Sequence, residues 1–153
     1  MNGYALITGA SSGIGLALAE ALARRGRNLI LLARQREALE SVVCELSQRF
    51  GIKVLLRICD LSQPLQVSGL LHELEHSGLF IDLLVNNAGI GSAGDFVTQD
   101  WAREQQLIEL NVLTLARLCH AIGGIMAGQG CGQILNVASI AAFQPFSDRK
   151  SVV

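Results

Sequence analysis

Short apolar runs alternate with longer amphipathic segments along most of this chain. The apolar runs cover residues 4–7, 28–33, 53–59, 81–85 and 133–138, and turn residues follow each of them. Nearly continuous apolar runs of this length are typical of parallel strands that are covered on both faces. Between the runs, apolar residues recur at i, i+3, i+4 and i+7, which predicts amphipathic helices. We expect helices near 13–25, 35–50 and 62–77, the third of them starting at Ser62. A further helix passes through Trp101 and, after a break, continues as a long helix over 107–126.

Alternating strands and helices predict an α/β fold with a parallel sheet. We expect the doubly wound arrangement, with five strands in the order 3-2-1-4-5, helices on both faces and right-handed crossovers. The chain of 153 residues is the size of one domain, and half of its residues are hydrophobic, enough for a sizeable core.

Composition removes several classes of function. The net charge is −1, with acids and bases mixed, so nucleic-acid and anionic-membrane partners are not indicated. No uninterrupted apolar run reaches the ~18 residues of a membrane span, and the first residues lead directly into a strand, so we expect a soluble cytoplasmic protein. The wide spacing of the cysteines indicates reduced thiols rather than a zinc site or a redox dithiol. His72 and His76 lie four residues apart without an HExxH pattern, which indicates an exposed helix face rather than a shared metal site. No metal site is predicted.

The glycine-rich segment TGASSGIG, Thr8 to Gly15, connects the first strand to the first helix. Glycines allow the backbone to approach a ligand closely or to adopt a positive φ angle. A helix start also offers unpaired N–H groups and the positive end of its dipole to a phosphate. The segment therefore predicts a phosphate-binding turn, and the alternative is a tight turn without a ligand. A nucleotide-triphosphatase loop is excluded, because no lysine precedes Lys53.

The second strand ends at Arg34, and no acid follows until Glu37. In dinucleotide-binding folds an acid at this place favours NAD, whereas a basic residue accepts the 2′-phosphate of NADP. The sequence therefore favours NADP over NAD. Alternatively, Arg34 and Arg36 simply begin the exposed face of the next helix.

Polar residues follow the remaining strands. Asp60-Leu61 follows the third strand, Asn86-Asn87-Ala88-Gly89 the fourth, and Ser139 the fifth, while Asn111 interrupts an apolar helix face. Because carboxyl ends of parallel strands meet at one edge, we expect a single crevice there, formed by Thr8, Arg34, Asp60, Asn86 and Ser139.

These motifs, in this order, resemble the short-chain dehydrogenases/reductases, whose motifs include TGxxxGIG and NNAG. The resemblance covers residues 4–146 and implies a Rossmann-like NAD(P)-binding domain over 1–146, with a divergent tail over 147–153. It implies hydride transfer between NAD(P) and a carbonyl or secondary alcohol. It gives Ser139 the role of holding the substrate oxygen and Asn111 that of a proton relay through water. The implied cofactor contacts are Gly9, Ser11, Ser12, Gly13, Ile14, Gly15, Arg34, Asp60, Leu61, Asn87, Ala88 and Gly89.

One part of the family pattern is missing from the printed residues. The resemblance implies a Tyr-x3-Lys motif about a dozen residues after Ser139, but the sole tyrosine is Tyr4 and Phe146 stands four residues before Lys150. We therefore expect a truncated or frame-shifted chain without the last strands of the family fold and with impaired turnover. The alternatives are a catalytically dead dinucleotide-binding fragment that acts as a binding or interaction module, and an unstable remnant with an open edge at strand five. The resemblance also implies pairing into a homo-oligomer, with which the apolar helix over 107–126 is compatible.

Overall fold

The computed structural model describes residues 3–92 and 96–140. Its sheet has five parallel strands in the order β3-β2-β1-β4-β5, which confirms the predicted topology. The strands are β1 Tyr4–Thr8, β2 Asn28–Ala33, β3 Val54–Ile58, β4 Ile81–Asn86 and β5 Gln133–Asn136. The helices are α1 Gly13–Ala23, α2 Arg36–Phe50, α3 Pro64–His76, α4 Trp101–Ile108 and α5 Leu115–Gln129, with a short 3-10 turn at Phe96–Thr98.

Two separate hydrophobic clusters cover the two faces of the sheet. Because successive strand residues point to opposite faces, Leu6 and Ile30 pack with α3 and α5, whereas Ile7 and Leu31 pack with α1 and α2. Most strand residues of β1 and β2 are fully buried. The apolar runs in the sequence are therefore central strands, and the prediction of helices on both faces is confirmed.

Helix ends agree with the sequence at some positions and differ at others. Gly51 ends α2 in the left-handed conformation, with φ of 64°, and Pro64 begins α3. Asp100 caps α4 by accepting a hydrogen bond from the Ala102 amide at 3.1 Å. Ser62, expected at the start of α3, does not cap it, because its hydroxyl instead donates to a carboxylate oxygen of Asp60.

The predicted break in the long helix is not present. A π-helical segment, Glu109–Thr114, joins α4 to α5, so that one helix runs from Trp101 to Gln129. An 18-residue window of this helix has a mean hydropathy of 1.4, which meets the length and composition of a membrane span. Core helices of soluble proteins meet the same test. Leu118, Ile122 and Met126 of this helix pack into the core beside the sheet.

Strand β5 lies at the edge of the sheet. It ends at Asn136, two residues earlier than predicted, and among the described residues it pairs with β4 alone. Ile134 and Leu135 are 41% and 44% exposed. The predicted boundary between residues 146 and 147, and the tail with Phe146 and Lys150, lie outside the described residues.

Candidate cofactor-binding site

The turn between β1 and α1 presents backbone amides at the carboxyl edge of the sheet. Gly9 and Gly13 have φ angles of 65° and 56°, a region that residues with a side chain rarely adopt. Ser12 is the N-cap residue, and in the described chain no side chain caps α1 and no acid lies in its first turn. Ile14 is 62% exposed. The first-turn N–H groups and the helix dipole are therefore available to an anion.

Gly15 is needed for packing rather than for approach to a ligand. A Cβ atom at this position would overlap the carbonyl oxygen of Gly9 and the side-chain nitrogen of Asn87. Gly9 is similarly constrained, because its Cβ would lie 3.0 Å from the same Asn87 nitrogen. These two glycines allow α1 to lie directly against the loop after β4.

Thr8 joins that loop to β1. Its hydroxyl donates to the Val85 carbonyl at 3.3 Å and accepts hydrogen bonds from the amides of Asn87 and Ala88, both at 2.9 Å. The Asn87 side chain in turn donates to the carbonyls of Thr8 and Gly9. Thr8 is 1% exposed, so it lies beneath the loop instead of facing the crevice as predicted.

Asn86 also differs from the prediction. Its side chain is buried and donates to Asn136 at 2.9 Å and to the Cys119 sulfur at 3.2 Å, while its side-chain oxygen Oδ1 has no partner among the residues that the structure describes. It therefore connects β4 to β5 and α5, away from the crevice. The physical reason is strand alternation, since the following residue, Asn87, takes the position toward the glycine turn.

A cleft of about 420 Å³ brings together most of the predicted cofactor contacts. Nine of the twelve line it: Gly9, Ser11, Ser12, Arg34, Asp60, Leu61, Asn87, Ala88 and Gly89. Gly13, Ile14 and Gly15 are not among its lining residues. A shallower groove of about 900 Å³ runs between the start of α3 and α4 and shares only Ile90 with the cleft. The smaller cleft is the candidate site, because the motif residues converge there.

Arg34 and Arg36 occupy different surroundings. The Arg36 guanidinium contacts Glu40 one turn later on α2 at 3.2 Å, an exposed pair. Arg34 lies exposed at the wall of the cleft and forms no ion pair with any residue that the structure describes. Arg34 is thus the cation available to a ligand there.

Asp60 is held by hydrogen bonds that the sequence did not indicate. One of its carboxylate oxygens accepts from the Ser62 amide at 3.0 Å and from the Ser62 hydroxyl at 2.7 Å. Its backbone amide donates to the Gln66 side chain at 2.8 Å. A serine two residues after an aspartate is the only sequence signal for this turn.

Cys59, beside Asp60, also lines the cleft and was not predicted there. Burial, with a smaller contribution from the Asp60 charge, raises the pKa of its thiol to about 11. The thiol is therefore protonated at neutral pH, which makes it a poor nucleophile.

Asn111 anchors the loop after β4 from within the π-helical segment. Its side-chain oxygen accepts from the Ile90 amide at 3.1 Å, and its nitrogen donates to the Ile90 carbonyl at 2.8 Å. π-Helical turns occur often at functional positions. Both the oxygen and the nitrogen of the Asn111 side chain thus have a partner. The proton relay that the resemblance implies for Asn111 stays a prediction. Ser139 is exposed after β5 and does not line the cleft.

Known proteins share this architecture. The family model for short chain dehydrogenase matches residues 3–151. The NADP-dependent 3-hydroxy acid dehydrogenase of Schizosaccharomyces pombe is 34% identical over 92% of this chain and 55% of its own length. L-sorbose reductase from Gluconobacter frateurii, solved with NADPH and L-sorbose, superposes with a TM-score of 0.90 at 36% identity over 97% of this chain and 56% of that chain. A short-chain dehydrogenase from Sphingobium yanoikuyae with NADPH gives a TM-score of 0.87 at 37% identity, over 92% and 55% respectively.

The chain matches about half of each relative's length. The chain spans between 47% and 60% of the length of the curated relatives that it matches. The matched part contains the strands and turns that form the cleft. The order of strands, the glycine turn, the loop after β4 and the family-model match lead to one conclusion: this chain belongs to the short-chain dehydrogenase/reductase family of oxidoreductases.

Proposed function

We propose that the cleft binds NADP(H), and that the protein to which these residues belong transfers hydride to or from a carbonyl or secondary alcohol. The observation that carries this proposal is the convergence of the α1 amino terminus, exposed Arg34 and the Asp60 turn on one cleft. Two structurally similar proteins were solved with NADPH, which supports the same ligand class here.

The residues present fit the parts of a dinucleotide. The uncapped start of α1 suits a diphosphate, because its N–H groups and its dipole favour negative charge. The Arg34 guanidinium suits the extra 2′-phosphate of NADP, since none of the ion pairs among the described residues involves it. Asp60 and Leu61 would lie at the adenine, and Asn87, Ala88 and Gly89 at the nicotinamide ribose. The bound cofactor would supply or accept the hydride.

We propose that Ser139 binds the substrate oxygen when the rest of the substrate site is present. The printed residues contain one tyrosine, Tyr4, which lies in β1 and not near Ser139 in sequence. Without a positioned proton donor, general acid catalysis worth roughly 10²- to 10⁴-fold is lost. We therefore expect residues 1–153 alone to bind cofactor but to turn over slowly, and the competing function is a dinucleotide-binding module.

The long helix offers an apolar surface for self-association. The helix over 107–126 exposes Ile108, Val112 and Leu113 at 39–49%. Such a run of apolar side chains on one helix suits pairing with a second copy of the chain. We propose a cytoplasmic homo-oligomer acting on a small carbonyl or alcohol, without nucleic-acid or membrane partners.

Arg34→Ala tests the cofactor assignment, with Arg36→Ala as the matched control. Charge-assisted contacts to a phosphate contribute about 1.5–3 kcal/mol, so Arg34→Ala should weaken NADPH binding by more than tenfold and leave NADH binding nearly unchanged. Arg36→Ala should change neither by more than about twofold, because Arg36 contacts Glu40. Equal NADPH affinities for Arg34→Ala and the unmutated chain would show that Arg34 does not bind the 2′-phosphate.

A turnover assay tests the expectation that residues 1–153 alone react slowly. Carbonyl-dependent oxidation of NADPH at a rate typical of the family would refute that expectation.

A further inference from the structure

The helix that runs from α4 through the π-helical segment to α5 makes two hydrogen bonds to the turn after β3. The Thr114 hydroxyl donates to the Leu61 carbonyl at 2.8 Å, and both residues are almost fully buried, at 1% and 4% exposure. Two turns earlier, the Gln106 side chain donates to the Ser62 hydroxyl at 3.1 Å. Neither residue lines the 420 Å³ cleft.

Both bonds reach the residues that form the proposed adenine end of the cleft. Leu61 lines the cleft directly, and Ser62 donates its own hydroxyl proton to the Asp60 carboxylate at 2.7 Å. Gln106 therefore donates a hydrogen bond to Ser62, and Ser62 donates one to Asp60. Because the Gln106 nitrogen donates to the Ser62 oxygen, the Ser62 hydroxyl is left to donate to Asp60, so Gln106 reinforces the orientation of this turn.

The opposite end of the cleft is attached to the same helix. Asn111, three residues before Thr114, holds Ile90 in the loop after β4 through two hydrogen bonds. One continuous helix thus carries separate contacts for the two ends of the cleft. The Thr114 and Gln106 contacts are specific to the turn after β3, which is the basis for a selective test.

We propose that Thr114 and Gln106 are positioning residues for the adenine end of the cofactor. They act through Leu61 and Ser62, and the inference rests on the proposed binding of NADP(H). Removing the Thr114 hydroxyl leaves the buried Leu61 carbonyl without its donor, so the turn that presents Leu61 and Asp60 shifts. The part of the cofactor that lies against this turn should lose affinity.

The test uses titration of purified chain with adenosine 2′,5′-bisphosphate, which contains only the adenine half of NADP. Thr114→Val removes the hydroxyl and keeps the shape, and it should weaken binding of this probe about fivefold or more. Thr114→Ser keeps the hydroxyl and should bind within twofold of the unmutated chain. Ser77→Ala, which removes a hydroxyl bond to Leu74 at the far end of α3, serves as a control for a general loss of stability.

Each result decides the matter. Unchanged binding by Thr114→Val, equal weakening by Thr114→Ser, or equal weakening by Ser77→Ala would overturn the inference while leaving the proposed function intact. If Thr114→Val does not fold, Gln106→Leu takes its place, and unchanged probe affinity in that variant would overturn the inference. Absence of binding of both the probe and NADPH by the folded, unmutated chain would overturn the proposed function and this inference with it.

Discussion

Thr8→Val should weaken the fold and the cleft together, because one hydroxyl serves three backbone groups. It donates to the Val85 carbonyl and accepts from the amides of Asn87 and Ala88. Valine has nearly the same shape as threonine, so the change removes the hydrogen bonds without opening a cavity. The loop after β4 would then lose its attachment to β1 at the place where Asn87 and Ala88 line the cleft.

The magnitude follows from the number and burial of the groups involved. A buried donor or acceptor left without a partner costs about 1–3 kcal/mol, and Thr8 is 1% exposed. Its two amide partners are only partly buried, so water offsets some of the loss. We expect Thr8→Val to lower the free energy of unfolding by about 2–4 kcal/mol, a large share of the ~5–15 kcal/mol of a typical domain.

Urea unfolding followed by circular dichroism measures this difference, and Thr8→Ser is the matched control. Serine keeps the hydroxyl and loses one methyl group, so it should lower the free energy of unfolding by about 1 kcal/mol. A Thr8→Val chain within 0.5 kcal/mol of the unmutated chain would refute the reasoning. So would a Thr8→Ser chain that is the less stable of the two.

Further predictions concern two glycines and one cysteine. Gly15→Ala should prevent stable folding or cofactor binding, because its Cβ would overlap the Gly9 carbonyl. Gly124 lies in open space within α5, so Gly124→Ala should raise the free energy of unfolding in urea by about 0.5–1 kcal/mol. Equal effects of the two substitutions would contradict the packing argument. Iodoacetamide at pH 8 should alkylate exposed Cys44 well before Cys59, and mass spectrometry of the native chain would show the order. Folding raises the pKa of the Cys59 thiol from 9.0 to about 11. The contribution of the protonated thiol to the free energy of unfolding is therefore complete below pH 9 and is lost as pH rises toward 11. Unfolding measured across that pH range should show a smaller loss of stability for Cys59→Ala than for the unmutated chain.

The strands and most helix bounds could be read from hydrophobic pattern, since buried parallel strands leave continuous apolar runs. The rule that strand carboxyl ends meet at one edge predicted a crevice with five polar residues, of which Arg34 and Asp60 line the cleft. The other predicted residues that line the cleft were implied by the resemblance to the family. The rule gives position along the strand but not the direction of each side chain. For that reason Asn86, which connects β4 to β5, was expected in the crevice, and Thr8 was expected beside a ligand although it lies beneath a loop.

The remaining differences between the sequence-based predictions and the structure lie in hydrogen bonds and helix geometry that a residue pattern does not show. Thr114 and its partner Leu61 are 53 residues apart, and a polar residue within a helix does not indicate which carbonyl it reaches. The π-helical segment was likewise not predicted, because its side-chain pattern is close to that of an α-helix with one additional residue. Ser62 could be taken for a helix cap, since serine bonds either to a helix start or to a neighbouring aspartate.

Calorimetric titration of the purified chain with NADPH and with NADH tests the central claim most directly. The account predicts saturable binding at one site per chain, with NADPH the tighter ligand, by a protein that unfolds cooperatively and scatters no more light than a soluble species. Absence of binding by either dinucleotide to a cooperatively folding chain would contradict it.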